Sequence, residues 1–445
     1  VRLPSSLWVC LVLIGTTPGS GVAAQEPPDD GPATAPFPWA LREAFDPSVI
    51  PGFASWFQRS LDRVMEDAVA QGVTPGAYVV VGYGGRVVFS HPYGRIDWDE
   101  DAPAVTEETL WDLASVTKAL ATTLAVMVLV EEGRLDLNAP VHRYLEGWPR
   151  EGPRARTTVR HLLTHTAAFP PGLPANRTGP NPDEWIRAIG STPLVGELGD
   201  EEAYSDLGPL LTAWIVESIT DEPFDDFLER RIYSPLGLRR TLFRPLDAAV
   251  PAEEIAPTEV LAQGQLRGIV HDPTARALGG VAGSAGLFSS AGDLAAFASA
   301  LLWERPARVV CRDVLRSFTR RSGDDSRFSV GWEVPLTWRA SGDVPSASAF
   351  GHTGYTGTSL WIDPEEDLFV ILLTSRLNPT SANERHIALR QEVHGVVGRA
   401  YTGLEAESDW RIPETWRGVD SCRAEVGFRA LEKLAPSTLA TLARW

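Results

Sequence analysis

Apolar and polar positions along the chain change period three times, and those changes outline a fold. Between Ala54 and Gln71 apolar residues recur at helical spacing, which predicts an amphipathic helix. Directly after it, Ala77-Tyr78-Val79-Val80-Val81-Gly82-Tyr83 and Arg86-Val87-Val88-Phe89-Ser90 are β-rich runs around Gly84-Gly85, the pattern of a hairpin. From Asp112 to about Leu301 helical periods dominate, interrupted by Pro- and Gly-rich loops such as Phe169 to Pro182. Strand character returns late, in Phe328 to Trp332, Ala347 to Gly351, Thr358 to Ile362 and Leu368 to Leu373. The last two form a second hairpin around Asp363-Pro364-Glu365-Glu366-Asp367, and a helix over Ser381 to Arg399 follows. Strands at both ends with helices between predict an α+β fold: one antiparallel sheet built from both ends of the chain, flanked by helices, with a mainly helical subdomain inserted. The cleft is expected between sheet and insert.

The two ends read differently from this body. Arg2, the apolar run Leu7 to Ile14 and the small residues Gly21-Val22-Ala23-Ala24 read as an export signal over residues 1–24, with cleavage after Ala24. That predicts a periplasmic or secreted protein. The run is below bilayer length and no later segment reaches it, so no membrane span is expected in the mature chain. Residues 25–50 are Pro-rich and acidic, a linker; residues 51–400 form the main domain. The tail, residues 401–445, carries Trp410, Trp416, Trp445 and an amphipathic stretch from Glu425 to Leu434; it is either the stub of a further domain or a strap along the main one.

Composition narrows the chemistry. With 44% hydrophobic and 22% charged residues in 445, the chain can bury a large core. A formal net charge of −18 argues against a phosphate-binding surface and sets nucleic acid aside as a partner. Cys311 and Cys422 would remain after export; they can pair or stay as two buried thiols, and they lack metal-ligand spacing.

Of 40 basic residues all but Lys118 and Lys433 are arginine. The physical difference between the two side chains is deprotonation: arginine stays charged, whereas a lysine of reference pKa about 10.4 becomes a neutral amine when desolvated. Lys118 stands three residues after Ser115 in Trp111-Asp112-Leu113-Ala114-Ser115-Val116-Thr117-Lys118, and Leu113 to Val130 reads as a buried helix with both residues in its first turn. At that spacing the side chains share a face, and the free N–H groups of the helix start suit a serine alkoxide. Ser115 is therefore a candidate nucleophile and Lys118 a candidate base.

Two further segments complete a constellation: Tyr204-Ser205-Asp206, ahead of an apolar helix, and His352-Thr353-Gly354, followed by Tyr355-Thr356-Gly357. With Ser-x-x-Lys they resemble, in order, the three motifs of the serine β-lactamase and penicillin-binding protein superfamily. The likeness is to its class C-like branch of D,D-peptidases, D-aminopeptidases, esterases and β-lactamases. It extends over Gly52 to Ala400 and includes Val159 to Thr166 and Leu278 to Ser289. The resemblance implies an acyl-enzyme on Ser115, with Lys118 accepting or relaying its proton and Tyr204 as second acid and base. It places His352, Thr353 and Gly354 in substrate binding and the backbone N–H groups of Ser115 and Tyr355 in an oxyanion hole. Histidine at 352 would make the charge there pH-dependent, since imidazole titrates near about 6.5. Asp206 stands where the class C enzymes carry asparagine; it either binds substrate, holds Lys118, or caps the helix beginning at Leu207.

Other candidates point to structure. His161 and His165 are four apart, but no Glu follows His161 and no third ligand is evident, so they read as a packed pair and not a metal site. His271-Asp272 reads by default as loop structure, with a hydrogen-bonded pair at the cleft edge as the alternative, and Gly279 to Gly286 as close backbone packing near the site. A Gly-x-Ser-x-Gly elbow is absent, against an α/β-hydrolase. The expectation is an exported serine hydrolase without metal or cofactor, acting on a small-molecule or peptide substrate. Cell-wall D-amino-acid peptides, small esters and β-lactams are the substrate classes, and a penicillin-binding sensor that acylates without turnover is the non-enzymatic option.

Overall fold

A computed structural model of the chain describes residues 53–173, 179–304, 309–323, 325–334 and 346–401. The export signal, the linker, most of the tail, Cys422 and Lys433 lie outside them. Helix α1 (Phe53–Ala70) leads into the hairpin of β1 (Gly76–Tyr83) and β2 (Arg86–Gly94). Gly84 and Gly85 turn it at φ of 59° and 81°, the region where a Cβ is disfavoured. The sheet is completed from the other end by β8 (Phe350–Thr353), β9 (Ser359–Asp363) and β10 (Leu368–Thr374), in the order β2-β1-β10-β9-β8 with every pair antiparallel. Val80 lies opposite Ile371 and His352 opposite Leu360, so the third motif enters on an edge strand.

The sheet is covered on both faces. Alternation along β1 sends Ala77, Val79 and Val81 to one side, where Val370 and Leu372 of β10 join Phe57, Leu61, Val64 and Met65 of α1. Leu389, Val393 and Val396 of α11 (His386–Tyr401) close that cluster. Burying each of these side chains contributes about 1.5–3 kcal/mol, which is why α1 and α11, distant in sequence, pack together. Helix α9 (Ala291–Ser299) contacts β1 and β10 without joining this cluster and covers the other face. That accounts for strands that read as continuous apolar runs.

Between the two parts of the sheet runs the insert. It carries β3 (Trp111–Asp112), α2 (Leu124–Glu131), α3 (Val159–Leu163), α4 (Pro182–Gly190), α5 (Leu207–Thr220), α6 (Phe224–Leu228), α7 (Ser234–Leu236), β4 (Leu242–Phe243), β5 (Val260–Leu261), β6 (Gly264–Gln265), α8 (Pro273–Ala277) and β7 (Leu287–Ser289). After α9 comes α10 (Arg312–Thr319). A second small sheet of order β3-β7-β4 holds the segment just ahead of Ser115 against the Gly-rich stretch. Among the described residues no helix is long and apolar enough to cross a membrane.

Three local expectations are corrected. Phe328 to Trp332 is no strand; Phe328 and Glu333 form one isolated bridge, and Gly331 turns the chain at φ 80°. The last helix begins at His386 and not Ser381, because the preceding residues are spent on outside partners: Ser381 donates twice to Glu259, and the Ser381 and Asn383 carbonyls accept from Arg376. Ser115 sits before its helix and not in its first turn. Ala114 adopts φ 47°, and the six residues from Lys118 to Thr123 form a wide π-turn before α2.

Candidate active site

The conformation around Ser115 is imposed by Asp112. This buried carboxylate accepts from Ala114 N at 2.9 Å and from His271 N at 2.7 Å, bending the chain into its left-handed kink. Burial pushes the Asp112 carboxyl up, and the two amide donors oppose that. His271 and Asp272 take loop-structural roles, the reading the sequence favoured over a mutual hydrogen bond. The His271 ring pairs with Glu259 at 2.9 Å, and Asp272 caps α8 through Ala275 N.

Two groups converge on the serine. Lys118 Nζ lies 2.7 Å from Ser115 Oγ, and Tyr204 Oη lies 2.8 Å from the same oxygen. Lys118 also donates to Ser284 O at 2.9 Å and pairs with Asp206 Oδ1 at 2.7 Å. Burial pulls the lysine toward neutrality, but Asp206 and Tyr204 together outweigh it and hold its pKa above the ordinary value. The expectation that desolvation would turn Lys118 into a neutral base is thereby reversed: it is an ammonium. Asp206 makes no side-chain cap on α5; Ser205 Oγ accepts from Leu207 N instead, so the carboxylate is free to hold the lysine.

Tyr204, 37% exposed, is strapped to His165 on both sides of its own position. Ala203 N donates to His165 O at 2.8 Å, and Ser205 N donates to His165 Nδ1 at 3.2 Å. The His165 ring sits 4.7 Å from the Tyr204 ring and 4.5 Å from Phe328, which itself stacks on Tyr204 at 5.6 Å. His161 lies elsewhere, closing a capping box with Thr158. The two histidines are thus committed to backbone groups in separate places, and the packed pair expected from their spacing does not form. Among the described residues no group of His, Cys, Asp or Glu has metal-ligand geometry.

The third motif differs from expectation in charge. His352 is buried and donates to Thr353 O at 2.8 Å. Burial, with Glu333 opposing and Lys118 assisting, pulls its pKa down to about 4, so at neutral pH it is uncharged. Thr353 donates both its amide and its hydroxyl to Glu333 Oε2, at 3.1 and 3.0 Å. Glu333 in turn accepts from the Arg327 guanidinium at 2.8 Å, and its carboxyl stays below the usual range although burial resists that. Glu333, Asp112, His165 and Phe328 had no motif to announce them. His165 lay inside a family-like stretch, Asp112 just ahead of Ser115 and Phe328 in a candidate strand, but none of these readings gave the contact it makes.

Beyond Thr353 the chain makes a β-turn, with Gly357 N donating to Gly354 O at 3.1 Å. The turn is bolted to the approach to Ser115: Thr356 Oγ1 donates to Asp112 O at 2.7 Å and Thr358 Oγ1 to Leu113 O at 3.1 Å. A Cβ at Gly354 would run into Thr358 Oγ1 and Leu113 O, which fixes glycine there. The Gly-rich stretch behaves as read, with Gly283 O accepting from Thr122 at 2.7 Å and Ser284 O from Lys118. Cys311 is a free thiol.

A curated relative from Salmonella typhi, named "Putative D-alanyl-D-alanine carboxypeptidase", is 32% identical over 337 residues, spanning 68% of this chain and 75% of the relative. The structure of an octameric penicillin-binding protein homologue from Pyrococcus abyssi superposes with a TM-score of 0.60 at 22% identity, covering 75% of this chain and 76% of that one. A beta-lactamase/D-alanine carboxypeptidase from Pseudomonas syringae gives 0.61 at 19% identity, with 76% and 98% covered. These two structures share the fold. The family model described as beta-lactamase matches residues 61–394, and the chain belongs to that family, whose members point to serine-hydrolase chemistry.

Proposed function

We propose that this protein is an exported serine hydrolase of the class C-like branch that forms an acyl-enzyme on Ser115 and cleaves amide or ester bonds. The observation that carries the proposal is the meeting of Lys118 Nζ and Tyr204 Oη on one serine oxygen, at 2.7 and 2.8 Å. As Oγ attacks the carbonyl carbon, the Ser115 proton is relayed through the Tyr204 hydroxyl, which takes it up while passing its own proton to the leaving group. Lys118 keeps its proton and holds the developing negative charge. The oxyanion accepts from the Ser115 and Tyr355 amides, neither of which is bonded to a protein carbonyl among the described residues. In the second half water attacks the acyl carbon, its proton is relayed through the Tyr204 hydroxyl to Ser115 Oγ, and the acyl–serine bond is hydrolysed to free acid and Ser115. Export rests on the residues 1–24 and is part of the same proposal.

Two substrate readings are supported by different observations. The name of the Salmonella relative favours D-alanyl-D-alanine peptides, which end in a free carboxylate. The occupied Thr353 hydroxyl and the buried Glu333 favour small esters, since a substrate carboxylate brought there meets a carboxylate and an uncharged His352. Hydrolysis of a p-nitrophenyl ester, a D-alanyl-D-alanine peptide and a chromogenic cephalosporin, measured side by side, separates them. Turnover of the cephalosporin alone would make the protein a β-lactamase, and stoichiometric acylation without turnover would make it a sensor.

A further inference from the structure

Behind the third motif two arginines reach the same turn from outside the cleft. Arg390 of α11 is buried, and its Nη2 donates to Gly354 O at 3.1 Å and to Thr358 O at 3.0 Å. Arg376 donates through Nε to Tyr355 O at 2.7 Å, and its guanidinium lies 4.1 Å from the Tyr355 ring centroid. Among the described residues neither guanidinium has a carboxylate within ion-pair distance; their hydrogen bonds go to backbone carbonyls. Burying an unpaired cation is costly, and nothing in the mechanism above uses either one.

Gly354 C=O and Tyr355 N–H belong to one planar peptide group. Whatever orients that carbonyl also orients the amide, and a charge-assisted hydrogen bond to the oxygen polarises the N–H at the other end. The carbonyl already accepts from Gly357 N, the bond that closes the turn, so Arg390 adds a second, charged donor. We propose that Arg390 is a positioning residue for the oxyanion hole: through the Gly354 carbonyl it fixes the plane of the Gly354–Tyr355 peptide and strengthens the Tyr355 N–H as donor to the oxyanion. Burial lowers the Arg390 pKa to about 10, which leaves the guanidinium charged throughout the neutral range. Arg376 secures the next carbonyl and anchors the turn to the loop at Ser381 and Asn383.

The inference rests on the reading of Ser115 as nucleophile and of Tyr355 N as oxyanion donor, and the test separates the two. A ¹³C-carbonyl-labelled p-nitrophenyl ester is mixed with wild type, Arg390→Met and Arg390→Lys. Burst kinetics give the acylation rate, infrared difference spectra give the acyl-ester carbonyl frequency, and thermal midpoints are recorded alongside. We expect Arg390→Met to slow acylation on the order of 10-fold to 100-fold, less than outright loss of an oxyanion donor, with little change in the ester's KM. Its carbonyl band should move toward the frequency of an unbonded ester, with Arg390→Lys between the two. Should Arg390→Met not fold, Arg390→Lys decides, because it keeps the charge while its amine ends one bond short of the position from which Nη2 serves both carbonyls. Unchanged acylation and carbonyl frequency in the folded variants, with only a lowered thermal midpoint, would overturn the proposal alone. No acyl-enzyme in the wild type would overturn the Ser115 reading and this inference with it.

Discussion

Lys118 Nζ and Asp206 Oδ1 lie 2.7 Å apart, and this contact sets the charge of the group nearest the serine. Without the carboxylate, burial would drive the lysine toward a neutral amine; with it, the ammonium is held above its ordinary pKa. Asp206→Asn should therefore move the alkaline limb of kcat/KM to lower pH and reduce activity at pH 8 more than at pH 6.5. An alkaline limb at the same pH in both proteins would separate Lys118 ionisation from catalysis. For stability the sign is that of a raised basic group: the contribution is fully present below about 10.4 and is lost as pH rises through the higher folded value.

Substitution of Lys118 itself tests geometry. Its three hydrogen-bonded oxygens, Ser115 Oγ, Ser284 O and Asp206 Oδ1, surround one nitrogen. A planar guanidinium keeps the charge but cannot serve three such directions from one atom. Both Lys118→Arg and Lys118→Ala are expected to lose on the order of 10² to 10⁴ in acylation rate. Near wild-type acylation by Lys118→Arg would mean that charge alone suffices.

Acid should destabilise the fold through its buried histidines. Burial first, with Arg390 adding to it, pulls His386 and His394 down to about 3, and burial pulls His352 down to about 4. Between those values and about 6.5 the unfolded chain binds protons the native protein does not, so stability rises with pH across that window. Each contributes at most about 1.4 kcal/mol per pH unit. Asp293, pushed by burial up to about 6, works in the opposite direction. The thermal midpoint should fall between pH 7 and pH 5, and less steeply in a folded His386→Asn variant. A flat profile would contradict this.

Gly283 tests the wall behind the lysine. A Cβ there meets Pro209 O and approaches Ala213 Cβ to 2.9 Å, so Gly283→Ala must shift the loop whose next carbonyl, Ser284 O, receives Lys118. Overpacking of this kind costs about 1–3 kcal/mol. We expect a lower thermal midpoint and a fall in kcat exceeding any change in KM; full activity would show that the Ser284 contact is dispensable.

Glu333 tests substrate selection. Glu333→Gln removes the negative charge beside Thr353 while keeping an acceptor for its hydroxyl. The ratio of D-alanyl-D-alanine peptide to ester hydrolysis should rise, and a ratio that stays fixed would remove Glu333 as a selectivity element.

Much of this was legible in the sequence because it is local. The hairpin around Gly84-Gly85, the hairpin of β9 and β10 and the three motifs each lie in one short stretch of chain; apolar periods specify the hairpins, and residue spacing the motifs. What escaped depends on contacts distant in the chain. Glu333 meets Thr353 from 20 residues away and Arg390 meets Gly354 from 36, so the charge at the third motif could not be read from His352 alone. The same holds for Lys118, whose protonation follows from Asp206. Ser115 reads as helical because Leu113 to Val130 is apolar, yet Asp112, pulled by Ala114 and His271, kinks the chain at Ala114.

The most direct measurement is peptide mapping by mass spectrometry after brief exposure to a p-nitrophenyl ester or a fluorophosphonate, in wild type and in Ser115→Ala. One acyl or phosphonyl group per chain is expected, located on Ser115, with neither adduct nor turnover in the variant. An adduct on another residue, or equal labelling of both proteins, would contradict it.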